Sequence, residues 1–192
     1  MTPRIPPISL AKADDKAKEQ LERVSQFRGN DVTVLNVFGT LGQHPELLRR
    51  WLVFANHVLS GSTLPGRIRE LAILRVGWLC GSPYEWGQHI IIAGKEGITD
   101  VEIHEIAIGP DAPGWAPNEA AVLRAADELH FISTISDETW GTLADSYSQQ
   151  QCMDLVFAIG QYHLVSFALN AFGVERDDGV DDSSLPFPKS AS

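Results

Sequence analysis

Cysteine is scarce in this sequence: Cys80 and Cys152 are the only two among 192 residues, and both fall inside apolar helical patterns. A disulfide-stapled secreted fold carries more, placed in loops, so a reducing, cytoplasmic setting is expected. Cations are also outnumbered, with 15 Lys and Arg against 25 Asp and Glu and a formal net charge of -10. That balance excludes a surface built for nucleic acid or anionic lipid, because both bind through clustered Lys and Arg. A small-molecule substrate or a protein partner fits better. The first ten residues hold Pro3, Pro6 and Pro7 but no apolar h-region, and no apolar run approaches the roughly 20 residues that span a bilayer. Neither export nor membrane insertion is expected. Strand signals are nearly missing, which leaves an all-α fold.

What is present supports one domain: 44% hydrophobic content over this length buries one substantial core. Proline and glycine punctuate the chain into about eight or nine helices, since Pro opens helices and Gly closes them. Residues 1–13 read as a Pro-containing arm, 14–173 as the helical domain, and 174–192 as an acidic, Ser- and Pro-containing tail that is ordered only if a neighbouring subunit holds it. The expected helices are Asp14 to Phe27, His44 to Leu59, Pro65 to Cys80, Pro83 to Gly94, Asp100 to Ile108, Asn118 to Ile132, Asp137 to Tyr147 and Gln149 to Ala171. Thr99 and Glu102 form a capping-box pattern. The last helix is apolar around so much of its circumference that it is either central or packed on another subunit.

Unusual chemistry is concentrated between Arg67 and His89. Glu85 and His89 stand at i and i+4, on one helix face, with Ser82 one turn before. A carboxylate beside an imidazole is a proton-transfer pair, the carboxylate orienting the ring and raising its basicity. Glu70 lies in the apolar stripe of Ile68, Leu71, Leu74 and Trp78, where an unpaired carboxylate is costly and titrates upward. Spacing leaves structural alternatives open. Glu85 also stands where a capping-box acid would fold back onto Ser82. His89 fits a hydrogen-bonded core histidine, Glu70 an ion pair with Arg67 or Arg75, and Tyr84 and Trp86 fit packing roles.

Arg69-Glu70-Leu-Ala-Ile-Leu-Arg75, followed by Cys80-Gly-Ser82-Pro-Tyr84-Glu85-Trp86-Gly-Gln-His89, resembles the signature of the carboxymuconolactone decarboxylase family within the AhpD-like superfamily. His44-Pro45, Leu64-Pro65, Gly109 to Trp115, Ala125 to His130, Ile135 to Trp140 and Gly160 to His163 extend the likeness to a longer branch, over about residues 4 to 175. The resemblance implies an AhpD-like helical bundle and a homo-oligomer, with trimer and hexamer among the expected forms. It also implies a carboxy-lyase of aromatic compound catabolism that works without metal or organic cofactor. In such a reaction carbon dioxide leaves as electrons move into a lactone carbonyl, and a carbon is then reprotonated. His89 is then the expected acid or base, Glu85 the group that orients it or exchanges its proton, Glu70 a relay, and Tyr84 a donor to the oxyanion. Ser82, Trp86, Trp78 and His163 are the expected substrate contacts.

Thiol peroxidases of the superfamily use Cys-x-x-Cys-x-x-x-His, and Ser82 and Glu85 occupy the two thiol positions here. A hydroxyl and a carboxylate cannot run a sulfenic acid and disulfide cycle, so peroxidase activity is disfavoured. A non-catalytic oligomeric ligand-binding or assembly protein is the other alternative. A metal site made of Glu70, Glu85, His89 and His163 would need the helices to converge. Their spacing matches no strong metal signature, so no metal is expected.

Overall fold

The computed structural model describes residues 2–28, 31–179 and 186. Among these, the order is α1 (Asp15–Val24), β1 (Gln26–Arg28), β2 (Asp31–Thr33), α2 (Asn36–Leu41), α3 (Pro45–Asn56), α4 (Gly66–Leu79), α5 (Pro83–Lys95), α6 (Asp100–Ile108), α7 (Pro117–Ile132), α8 (Asp137–Ser146) and α9 (Gln149–Phe172). The all-α expectation holds, with one small departure. The helix expected to reach Phe27 ends at Val24, and the chain then makes a short antiparallel ribbon pairing Phe27 with Val32. Three-residue strands are too short to show a period-2 pattern in sequence.

The punctuation has direct local causes. Asp14, Thr99, Ser136 and Ser148 each accept a backbone N–H of the helix they open, and the Thr99–Glu102 capping box is complete. Gly173 closes α9 in the left-handed region at φ 68°, where a Cβ is disfavoured. After α3 the helix widens into one π turn over His57–Gly61 before the chain breaks toward Pro65.

Helix α4 is the axis of the molecule and packs against α5, α6, α7 and α9. Leu71, Ala72, Ile73, Leu74 and Val76 are fully buried, and each large side chain among them contributes on the order of 1.5–3 kcal/mol relative to exposure. Being wrapped on all sides, α4 also buries Arg75. Its guanidinium grips Asp127 of α7 at 2.6 and 2.9 Å and donates to the carbonyls of Ile106 and Ala107 at 2.9 and 3.1 Å. This pins α6 and α7 to α4. Removing one partner of such a buried pair costs about 3–5 kcal/mol.

A second, smaller cluster of Leu21, Leu48 and Leu52 joins α1 and α3, with Ile8 and Leu10 of the N-terminal arm against it. The arm is tied down by Arg4 and Ile5 N–H donating to Phe172 O, and by Ile8 N–H donating to Gly39 O at 3.0 Å. Gly39 permits that approach, because a Cβ there would meet Pro7 Cβ at 2.9 Å.

Two expectations need correction. By length and composition α9 is apolar enough to cross a membrane, contrary to the reading of runs alone. It is also a core helix, with Leu155, Ala158, Ile159, Tyr162, Ser166 and Leu169 facing inward, and core helices pass the same test. The tail was expected to need a neighbouring subunit, yet Glu175 to Asp177 are held by Asn36 of the same chain. Of the rest of the tail beyond Gly179, all but Pro186 lies outside the described residues.

Candidate active site

A cavity of about 230 Å³ lies between the small N-terminal layer and the main core. Its apolar wall comes from Leu35, Phe38, Trp51, Leu52, Val165 and Leu169, and its polar side from Tyr84, Glu85, Gln88, His89, Gln161 and Tyr162. A further apolar recess of about 170 Å³ shares Val37, Trp51, Val165 and Leu169 with it.

Helix α5 delivers most of the polar groups because Pro83 starts it directly after Ser82, and residues 84, 85, 88 and 89 fall on one face. The expected capping box does not form. Ser82 Oγ makes no hydrogen bond although the residue is fully buried, and Glu85 turns inward instead of back. Its Oε2 accepts from Ser166 Oγ of α9 at 2.7 Å, while Oε1 has no partner. Space for this carboxyl is made by Gly77, where a Cβ would stand 3.2 Å from Oε1.

His89 is paired with Glu70, not with Glu85. Its Nδ1 lies 2.7 Å from Glu70 Oε2, and Glu70 Oε1 accepts from Arg69 Nε at 3.0 Å. Glu70 therefore does not pair with Arg67, which holds Glu102 and Glu119, or with Arg75, which holds Asp127. A carboxylate only accepts, so His89 Nδ1 carries a hydrogen and donates it to Glu70. The Tyr162 ring stands edge-on to the imidazole, 4.8 Å away at 87°, and fixes its plane.

The two carboxyls titrate in opposite directions. Burial pushes Glu85 well above its ordinary value, with Ser166 opposing and the negative Glu70 adding to the rise, so Glu85 keeps its proton to higher pH than a free carboxyl does. Burial also acts to raise Glu70, but the charge and hydrogen bond of His89 and those of Arg69 outweigh it, and Glu70 stays below its ordinary value. The cavity thus has on its wall a carboxyl that holds its proton to higher pH and an imidazole backed by a carboxylate that gives its proton up more readily.

The remaining expected residues are placed as follows. Tyr84 lines the cavity, but its hydroxyl donates to Asp177 Oδ2 at 2.5 Å and accepts from Val37 N–H at 3.3 Å. Asp177 also accepts from Gln88 Nε2 at 3.0 Å and from Asn36 N–H at 2.8 Å, so Tyr84 and Gln88 dock the tail beside the cavity. Burial first, then Asp177, raises the Tyr84 hydroxyl above its ordinary value. Trp86 is fully buried and packs against Trp78 in the main core, with ring centroids 5.3 Å apart and planes tilted by 53°, and Ser82 is enclosed. These three do not border the cavity. His163 points elsewhere, to His130 at 2.9 Å, so Glu70, Glu85, His89 and His163 do not converge on one metal position.

Sequence reasoning missed Gln161, Tyr162, Ser166 and Asp177. Gln161 is 4% exposed, lines the cavity, and leaves both Oε1 and Nε2 without a hydrogen bond. Burying an amide this way costs about 1–3 kcal/mol. The available signal was polar residues interrupting the inward stripe of an otherwise apolar α9.

Residues 45–128 match the carboxymuconolactone decarboxylase family model. The uncharacterized protein YdfG of Bacillus subtilis (strain 168) is 26% identical over 102 residues, which is 52% of this chain and 69% of that protein. An uncharacterized peroxidase-related protein from Ralstonia eutropha JMP134, described as an alkylhydroperoxidase AhpD core, superposes with a TM-score of 0.79. It is 18% identical and covers 93% of this chain and 94% of its own. The debrominase Bmp8 in its apo form superposes with a TM-score of 0.68 at 14% identity, covering 91% of this chain and 92% of its own. At these identities the structures establish an AhpD-like fold and nothing finer.

Proposed function

We propose that this chain, whose residues 45–128 carry the match to the carboxymuconolactone decarboxylase family, performs cofactor-independent acid/base chemistry on a small, largely apolar carbonyl or carboxylate metabolite. The favoured step is a carbon–carbon lyase reaction, decarboxylation, or a related isomerisation. The observation that carries this reading is a pair of buried carboxyls driven in opposite directions, Glu85 raised on the cavity wall and Glu70 lowered behind the cavity-lining His89. Such divergence is how one site holds an acid and a base at the same pH.

In this scheme the substrate carboxylate leaves as carbon dioxide while its bonding electrons move through a conjugated double bond onto a carbonyl oxygen. Neutral Glu85 donates a hydrogen bond to that developing oxyanion, worth about 10²–10³ in rate for a single donor. His89 takes up a proton from solvent at Nε2, Glu70 at Nδ1 stabilises the imidazolium so formed, and the ring then gives the Nε2 proton to carbon and is left neutral. The unpartnered amide of Gln161 binds a polar substituent of the substrate, and the wall of Phe38, Trp51 and Leu52 takes its apolar part.

Two alternatives have less support. Thiol peroxidase chemistry would fall to Cys80, whose thiol burial and the nearby Glu85 push up to about 12 against the opposing Ser166, leaving almost no thiolate. A purely non-catalytic scaffold would have no use for a buried acid beside an imidazole at a cavity. A metabolite screen in D₂O with purified protein tests the proposal. Deuterium should enter product carbon, and His89→Gln should slow turnover by about 10² or more. Undiminished turnover in that variant would refute it.

A further inference from the structure

Away from the cavity, three soft or borderline donors converge where the end of α4 meets α7 and α9. Cys80 closes α4, His130 stands in the last turn of α7, and His163 lies in the middle of α9. The Cys80 sulfur and one ring nitrogen from each histidine lie within 4.8 Å of one another, and all three residues are half-buried.

The orientation of the set is specific. His163 Nδ1 sits 2.8 Å from the Ile159 carbonyl, which can only accept, so Nδ1 carries hydrogen and Nε2 presents its lone pair. This is the outer hydrogen bond that fixes the tautomer of a metal-binding histidine. His130 Nδ1 points at that lone pair from 2.9 Å. The backbone of Cys80 is held to α9 by Asn170 Nδ2, which donates to its carbonyl at 2.9 Å, so Cys80 is anchored to the helix that carries His163.

We propose that Cys80, His130 and His163 form a zinc-type metal site, with the fourth coordination position open to water or another ligand. One thiolate and two imidazoles suit Zn²⁺ and do not suit Mg²⁺ or Ca²⁺, which take oxygen ligands. Tetrahedral coordination at roughly 2.0–2.1 Å to nitrogen and 2.3 Å to sulfur asks the two nitrogens to separate by a few tenths of an ångström and the sulfur to close in. On binding, the Cys80 thiol releases its proton to solvent and the sulfur keeps the electron pair that it donates. His130 moves its hydrogen from Nδ1 to Nε2, so one proton leaves per ion. The set shares no residue with the Glu70, Glu85 and His89 constellation.

Titration of the full-length protein with Co²⁺, followed by displacement with Zn²⁺, tests this. One equivalent should bind and give a thiolate-to-cobalt charge-transfer band that Zn²⁺ abolishes. Cys80→Ser should lose the band, and His163→Gln and His130→Gln should each weaken binding about 10-fold or more, with helical circular dichroism retained. Having two histidine variants keeps the test decisive if one misfolds. His89→Gln should bind as the parent does. No stoichiometric binding at micromolar metal, a cobalt spectrum without the sulfur band, or unchanged affinity in the folded variants would overturn the site.

Discussion

Replacing Glu85 with Gln separates a neutral, buried acid from an ionised one. The side chain is enclosed, with Ser166 on one oxygen and nothing on the other. Gln matches its size and polarity and never ionises, so at mildly acidic pH the change should cost within about 1 kcal/mol, the scale of one exchanged hydrogen bond. At higher pH the two proteins should diverge. The folded-state value of Glu85 is raised above the ordinary value of 4.5, so the folded protein keeps a proton that the unfolded chain releases. The stability this group contributes is complete below the ordinary value and is lost as pH rises toward the folded value. Within that window the parent should lose about 1.4 kcal/mol per pH unit from this one group, and Glu85→Gln should not. Urea denaturation at several pH values from about 5 to 8, with unchanged m-values, should show the variant gaining on the parent as pH rises. A pH-independent difference, or one of opposite slope, would refute the protonation assignment. Turnover should fall by about 10² or more in the same variant.

Glu70→Gln should act on the other side of the pH scale. The folded-state value of Glu70 is depressed, so its contribution is present above the ordinary carboxyl range and lost as pH falls through the folded value. The variant should lose about 1.5–3 kcal/mol at neutral pH and show a shallower acid decline by denaturation. Gln161→Leu removes two unsatisfied polar atoms and should raise stability by about 1–3 kcal/mol while raising KM, as measured by thermal unfolding and steady-state kinetics. We further propose that α9 and its neighbours assemble with other copies, since Phe157, Phe167 and Phe131 are 56%, 60% and 70% exposed. Light scattering at micromolar concentration should give a multiple of the chain mass, and a monomer with intact helices would contradict it.

Much of the fold is legible because proline, glycine and short polar caps act locally. Pro65, Pro83 and Pro117 sit at or beside helix starts, and the Thr99 box forms as read. Of the expected residues, Tyr84, Glu85 and His89 line the cavity with Glu70 behind His89, while Ser82, Trp78, Trp86 and His163 lie elsewhere, and the bonds among them were not legible. Helical spacing pairs Glu85 with His89, but the partner of His89 is Glu70, 19 residues upstream on the preceding helix, and the packing of α5 on α4 decides that. The pattern Ser82-x-x-Glu85 reads as a cap, yet the buried N-terminus of α5 sends that carboxyl to Ser166 of α9. Trp78 and Trp86 read as ligand contacts from their place in the motif, and the core takes both. The docking of Asp177 on Tyr84 joins positions 93 residues apart, a separation no local pattern encodes.

The account rests on Glu70 being ionised and Glu85 protonated at the same pH, and infrared difference spectroscopy reads this directly without a substrate. At neutral pH the parent should show the carbonyl stretch of a buried protonated carboxyl. That band should vanish in Glu85→Gln and persist in Glu70→Gln. Absence of the band in the parent, or its loss in Glu70→Gln instead, would contradict the account.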